Sequence, residues 1–566
     1  MEKTYNLIEL FSGIGSQAKA LKNLGVDVRI QGTSEWDVHA LAAYDVIHNF
    51  PEIPEHIQGM SKKELLEKLK DYTFSNSGKT PLEYSSLCTY SVDSLRRLYT
   101  SVTRNKNFVD VTRLDGKSLP DNVDIMTYSF PCQDLSNVGA FHGYNKGIDK
   151  DSGSRSSLLW QVGRILTEMK DAKKTLPRFL LLENVPTLLS NRHYDNFKTW
   201  LADLEKLGYV SHYYQLNASS FGLPQNRPRL LMISVYVGDN LPRWKLVHDY
   251  FEEKCDPDSI IADYKASKHF VQYTVQQLLR INYSNKKIFD EAVACTPNDT
   301  ESRRRIWEEN PQIILPDGTL NPAYDTIRTI TTKQDRNPNS GNLYFDSGIE
   351  GRSKFRYLTP RECLLFMGFT DEDYRLLKAN NVDYHKGDSL FARDKIIRMA
   401  GNSIPVKLLE GIFYQILQLD ERLENELPVC QSTEVLDTES ISAMIRSHVF
   451  KNGIRSRINQ RDICPANATI VYPKHKTAIY LRKCPASSCL SCDLICPLSK
   501  HDYWTRRCKK PSAEESLLYE EALNLGWNVV LINPCELHED NRENTLDWVV
   551  QCIRTGLLTE KPTTGT

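Results

Sequence analysis

One repeated pattern constrains this chain more than any single residue. Over the first 237 residues, short apolar runs that read as strands recur at 5–11, 28–33, 123–128, 179–182 and 230–235, and several intervals hold helix-like runs such as 158–169 and 194–207. Strands alternating with helices predict an α/β fold built on a doubly wound, mostly parallel sheet. Such sheets bind ligands outside the carboxyl ends of their strands, so the loops there are where chemistry is expected. The rhythm is lost over about 238–350, which mixes Pro, Asn, Asp and aromatic residues, and helix-like spacing returns at 359–366 and 406–417. The polar, acidic stretch 424–438 reads as a linker.

The loops carry distinctive residues. Phe11-Ser-Gly-Ile-Gly15 follows the first strand, and glycines there let backbone approach a ligand; by itself such a loop is also an ordinary tight turn. Glu35-Trp36 ends the second strand, where an acid can take a ribose hydroxyl and an indole can pack on a base. Phe130-Pro-Cys-Gln133 follows the third, and Pro131 stops the strand so that the Cys132 thiol sits on the loop. An inert buried thiol is the ordinary alternative for a lone cysteine. Glu183-Asn-Val185 ends the next strand, and Gln225-Asn-Arg-Pro-Arg229 precedes the last. A thiol, a carboxyl and two guanidiniums could thus converge on one crevice.

Composition narrows the rest. Lys plus Arg (71) balances Asp plus Glu (72) over 566 residues, so a polyanion site must be local. No run approaches the roughly 20 apolar residues that cross a bilayer, and the start lacks a signal-peptide layout, so a cytoplasmic protein is expected. Of 14 cysteines, eight fall between Cys464 and Cys552, a clustering that in a reduced compartment points to metal rather than disulfides. Residues 446–510 hold 14 Lys/Arg against three acids, which suits phosphate contact or simply a solvated basic face.

Taken in order, the motifs resemble the DNA (cytosine-5) methyltransferase family over roughly residues 1–420. The match runs through Phe11-Ser-Gly-Ile-Gly15, Glu35-Trp36, Asp110, Phe130-Pro-Cys-Gln133, Glu183-Asn-Val185, Gln225-x-Arg-x-Arg229, Arg361-Glu-Cys-Leu-Leu-Phe-Met-Gly-Phe369 and Gly401-Asn-Ser403. The resemblance implies a catalytic domain of 1–237 plus 390–420 and a small target-recognition domain of 238–389. It implies Cys132 as nucleophile toward a flipped-out cytosine, Glu183 as a neutral acid at ring nitrogen 3, Arg229 at the ring carbonyl, and Arg227 at a nearby loop or phosphate. For S-adenosylmethionine it implies Phe11, Gly13 and Gly15 at the methionine end, Glu35 at the ribose, and Trp36 and Asp110 at the adenine, with Leu158 and Asn402 completing the pocket. Gln133, Thr329 and Arg303-Arg304-Arg305 are the residues expected at DNA.

After the 421–440 linker, residues 441–560 resemble Vsr-type very short patch repair endonucleases, through Pro473-Lys-His-Lys-Thr-Ala-Ile-Tyr480, Cys484, Tyr503-Trp504, Leu525-Gly-Trp-Asn-Val-Val-Leu531 and Pro534-Cys-Glu-Leu537. That resemblance implies an α/β domain with a structural zinc on Cys484, Cys489, Cys492 and Cys535, Cys496 being the alternative to Cys492. It also exposes departures. Thr469 stands at the family's metal-binding Asp position, and no His lies in 482–488, so no catalytic metal and no strand cleavage are expected.

The expected function is sequence-specific methylation of carbon 5 of cytosine in double-stranded DNA, in a prokaryotic cytoplasm on the chromosome. A restriction–modification setting, with a cognate restriction endonuclease as a candidate partner, goes with it. A tRNA cytosine-5 methyltransferase of the same family and a catalytically idle DNA-binding or mismatch-recognition protein are the alternatives.

Overall fold

The computed structural model describes residues 3–49, 51–132, 135, 148, 155–335, 338–385, 387–426, 438–454, 468–481, 522–532, 537 and 542–555. The chain divides into two compact units, one of residues 1–236 with 250–420 and the other of 237–249 with 421–566.

The first unit is organised by a six-stranded sheet of β1 (Thr4–Leu10), β2 (Asp27–Ser34), β3 (Ile125–Tyr128), β4 (Phe179–Asn184), β5 (Tyr209–Asn217) and β7 (Pro228–Tyr236), in the order β2-β1-β3-β4-β7-β5. The two-residue β6 (Gln225–Asn226) lies outside it, paired in parallel with Ile327–Arg328. Pairings β1–β2, β1–β3 and β3–β4 are parallel, as the alternating pattern predicts. The sheet is mostly parallel, as expected, with one exception: β7 runs antiparallel to both of its neighbours, β4 and β5, and so against all the other strands. Strand β5, absent from the sequence reading, is an edge strand with Ser211, His212 and Gln215 interrupting its apolar residues.

Alternation along β1 distributes the two faces. Ile8 and Leu10 join a core with Met126, Tyr128, Leu180, Leu182, Leu230 and Met232, covered by the helices Leu159–Asp171 and Tyr194–Leu207. Trp200 is fully buried there and donates from its indole to the Tyr128 hydroxyl at 3.2 Å. On the opposite face, Glu9 accepts from the Ala18 N–H of α1 (Ser16–Asn23) at 3.2 Å and from the Tyr44 hydroxyl of α2 (Val38–His48). Tyr5 points the same way and donates to Asp420 at 2.7 Å, beside the Lys3–Asp420 and Arg178–Asp420 ion pairs. The result is a sheet between two helical layers.

The second unit carries a three-stranded sheet of Ile470–Tyr472, Thr477–Leu481 and Asn528–Ile532, antiparallel then parallel. Ile470, Tyr472, Ile479, Val530 and Ile532 pack on one side with the helices Thr438–Lys451 and Arg542–Thr555, while Val471, Ala478, Tyr480 and Val529 face Ala522 and Trp527. No helix among the described residues is long and apolar enough to cross a membrane.

Candidate active site

The loop after β1 turns sharply. Phe11, Gly13 and Gly15 have φ of 59°, 55° and 79°, and the Ser12 N–H donates to the Ser34 carbonyl at 3.1 Å, tying the turn to the end of β2. A side chain on Gly13 would meet nothing within 4 Å, so glycine there serves the backbone angle and leaves open space beside the loop. Gly15 is different. A Cβ there would come within 2.3 Å of His48 Nε2, so it permits close packing of the loop on α2. It stands one residue beyond Ile14, which lines the cavity described below, and does not itself line it.

Glu35 answers the loop from β2. Its carboxylate accepts the Gly13 N–H at 3.0 Å and the Asp37 N–H at 2.8 Å. Burial, with the Asp37 charge second, pushes its pKa up to about 7 against the backbone N–H groups that pull it down. Asp110 caps the turn Val111–Arg113 by accepting the Thr112 N–H at 2.9 Å, and Leu158 and Asn402 end the turn Arg155–Leu158 and the helix Arg393–Asn402.

The reactive group arises from β3, β4 and β7. Pro131 and Cys132 leave the carboxyl end of β3, and the Phe130 and Pro131 carbonyls accept from Asn184 Nδ2 (3.1 Å) and Ser156 Oγ (2.6 Å), fixing the backbone that carries the thiol. Glu183 lies opposite Leu231 in the β4–β7 register, so Arg229, two residues away, shares its face. Arg229 Nε donates to Glu183 Oε1 at 2.9 Å. The antiparallel direction of β7 makes this possible, because the start of a parallel strand would lie at the far edge of the sheet.

Electrostatics at this cluster are set first by desolvation. Burial pushes the Cys132 thiol up, Arg229 opposing it and Glu183 adding to it. Burial also pushes the Glu183 carboxyl up, although Arg229 and Arg227 pull it down. Arg227 is 2% exposed and gives Nη1 to the Ile330 carbonyl at 2.8 Å and Nη2 to the Gly401 and Ser403 carbonyls at 2.8 and 2.7 Å. Of the two places expected for it, a loop or a phosphate, it occupies the loop and acts by holding backbone.

One cavity of about 430 Å³ is lined by Phe11, Gly13, Glu35, Trp36, Asp110, Leu158 and Asn402 together with Cys132, Glu183, Arg227 and Arg229. That volume falls in the range of small-molecule sites. Thr73, Gly78, Pro81 and Asp37 line it too and were absent from the sequence reading. The long interval between Trp36 and Asp110 was the available signal.

The expected DNA contacts fare differently. Thr329 donates its hydroxyl to the Asn226 carbonyl at 2.7 Å and does not line the cavity. Arg303–Arg305 lie on the helix Glu301–Glu309, which buries no residue; Arg304 pairs with Asp299 at 2.7 Å and Arg305 with Glu301 at 4.0 Å, so two of the three are matched to acids. Gln133 lies outside the described residues, as do Cys484, Cys489, Cys492 and Cys535 of the expected zinc set. Thr469 lies within them and its hydroxyl accepts the Leu481 N–H at 3.1 Å.

Residues 91–418 match the family described as C-5 cytosine-specific DNA methylase, more than half of the chain. The orphan methyltransferase M.SssI of Spiroplasma monobiae is 28% identical over 425 residues, covering 73% of this chain and 97% of that protein. The type II methyltransferase M2.ScrFI of Lactococcus lactis subsp. cremoris is 29% identical over 422 residues, covering 73% and 99%. The type II methyltransferase M.NgoBI of Neisseria gonorrhoeae is 32% identical over 318 residues, covering 56% and 80%. With a thiol, a carboxyl and a guanidinium on one cavity and that match around them, the chain belongs to the C-5 cytosine-specific DNA methylase family and is a DNA cytosine methyltransferase.

Proposed function

We propose that the protein methylates carbon 5 of a flipped-out cytosine within a specific duplex sequence, through a covalent adduct at Cys132. The observation that carries the reading is Cys132, Glu183 and Arg229 lining the same cavity as Glu35, Trp36 and Asp110, with Glu183 bonded to Arg229. Cytosine carbon 5 is a poor nucleophile. The Cys132 thiolate adds to carbon 6, and the displaced electron pair moves toward nitrogen 3 and the ring carbonyl. Glu183 gives its proton to nitrogen 3, a role that needs the neutral acid which burial favours, and Arg229 binds the carbonyl oxygen. After methyl transfer, the carbon-5 proton leaves to water, the ring double bond re-forms as the thiolate is expelled, and the nitrogen-3 proton returns to Glu183. A base inside a duplex cannot reach a thiol on this loop, so the cytosine leaves the stack.

The cavity suits S-adenosylmethionine. Gly13 leaves room beside the loop, Glu35 is held by two backbone N–H groups, and Trp36 and Asp110 stand nearby. Phe11, Gly13, Glu35, Trp36, Asp110, Leu158 and Asn402 would hold the cofactor, which supplies an electrophilic methyl group. The type II relatives support a restriction–modification setting. For the tail, the cysteine spacing supports a structural zinc, the basic stretch 446–510 supports contact with DNA, and Thr469 in place of an acid supports the absence of cleavage.

Duplex DNA carrying 5-fluorocytosine, which blocks the final elimination, tests the adduct. Covalent trapping at Cys132 is expected, and its absence favours an idle DNA-binding protein. Methyl incorporation into duplex DNA but not tRNA is expected in parallel, and the reverse preference overturns the DNA reading.

A further inference from the structure

The interval between Trp36 and Asp110 does more than connect two motifs. Its residues 73–81 are stitched to the end of β2: the Ser75 N–H donates to the Trp36 carbonyl at 2.8 Å, and the Val38 N–H donates to the Ser75 carbonyl at 2.9 Å. Thr73, Gly78 and Pro81 thereby line the cavity alongside Trp36. Within the stretch, the Leu82 N–H donates to the Phe74 carbonyl at 2.7 Å and the Ser75 hydroxyl to the Thr80 carbonyl at 2.6 Å, and side chains from outside it hold Asn76. Arg398, on the helix Arg393–Asn402, donates Nη1 to the Asn76 carbonyl at 2.8 Å and Nη2 to both carboxylate oxygens of Asp37 at 3.0 and 2.7 Å. The Tyr90 hydroxyl adds a bond to the Asn76 side chain. Three neighbours of Arg398, namely Met399, Gly401 and Asn402, line the same cavity. One planar fork thus joins the wall of residues 73–81, the β2–α2 turn and the helix opposite, a geometry that an ammonium group cannot reproduce.

We propose that Arg398 is a positioning residue for the nucleoside part of the cofactor, fastening residues 73–81 beside Trp36 as a wall of the cleft. The inference rests on the reading of this cleft as the S-adenosylmethionine site and deepens it by naming what shapes its Trp36 side. Removing the guanidinium strips the buried Asp37 of its ion-pair partner and the Asn76 carbonyl of its donor, so the wall loosens while Cys132, Glu183 and Arg229 keep their own contacts.

Calorimetric titration with S-adenosylhomocysteine tests this on the full chain. Arg398→Met is expected to raise its Kd by about tenfold or more, the scale of losing charge-assisted hydrogen bonds. The KM for S-adenosylmethionine rises in step, kcat at saturating cofactor stays level, and the Kd for duplex DNA does not move. Arg398→Lys recovers part of the loss, because one charged contact to Asp37 survives. Thr73→Trp, at a half-buried surface position, keeps the test decisive if Arg398→Met does not fold: its bulk on the wall is also expected to raise the Kd. Folded variants that bind S-adenosylhomocysteine as tightly as wild type overturn the inference alone. Wild-type protein that fails to bind it overturns the cofactor reading and the inference together.

Discussion

At the scale of single residues, function depends on two groups whose protonation is set by burial. The Cys132 thiol is pushed up, so its thiolate fraction is small near neutrality and grows as pH rises; the Glu183 carboxyl is pushed up as well, so its useful neutral form persists until a higher pH than usual. A bell-shaped dependence of kcat/KM for DNA is expected, rising as the thiol ionises and falling as Glu183 loses its proton. Glu183→Gln should remove the falling limb and lower kcat by about 10²–10³-fold, the usual worth of a positioned acid, with the Kd for S-adenosylhomocysteine unchanged. Glu9 offers a stability test at the same scale. Its pKa is pushed from 4.5 to about 7, chiefly by burial. The folded state therefore holds this proton more tightly than the unfolded chain. The corresponding stability is full below about 4.5 and is lost as pH rises toward 7, on the order of 3 kcal/mol. Glu9→Gln should flatten urea-unfolding free energies across that window, leaving the variant the more stable protein at pH 8.

At the scale of elements, the turn between β1 and α1 tolerates little. Gly15→Ala combines a left-handed backbone angle, which costs a side chain about 1–2 kcal/mol, with an overlap onto His48 Nε2 at 2.3 Å. A fall in Tm of several degrees is expected, larger than for Gly13→Ala, which meets open space. Elements of this kind were legible in the sequence where apolar runs are uninterrupted: β3 and β4 are almost wholly buried, and the helix Tyr194–Leu207 coincides with its spacing. Strand β5 was not legible, because an edge strand tolerates Ser211, His212 and Gln215 and so blurs its period. The direction of β7 was not legible either. Nothing in an apolar run states which way it pairs, and the Arg229–Glu183 contact depends on that direction. The wall of residues 73–81 escaped because its role lies in backbone hydrogen bonds that no side-chain motif records.

At the scale of the whole molecule, two modules with different readouts are joined. The family match stops at residue 418, so the cysteine-rich tail is to be judged by its own chemistry. Elemental analysis of the purified chain is expected to find about one zinc ion, the ratio a single tetrahedral thiolate site requires. With magnesium present, a Cys132→Ala protein should leave T:G-mismatched duplex unnicked; nicking would restore a nuclease role to the tail. In the first unit, Lys3 and Tyr5, near its first residue, meet Asp420, its last. A short tether across that junction would close this fold into a ring, which could then be reopened at an exposed loop elsewhere. The order in which the glycine turn, the thiol and the terminal Gly-Asn-Ser segment are translated is therefore a matter of where the gene begins, and rearranged enzymes with the same active centre become accessible to engineering.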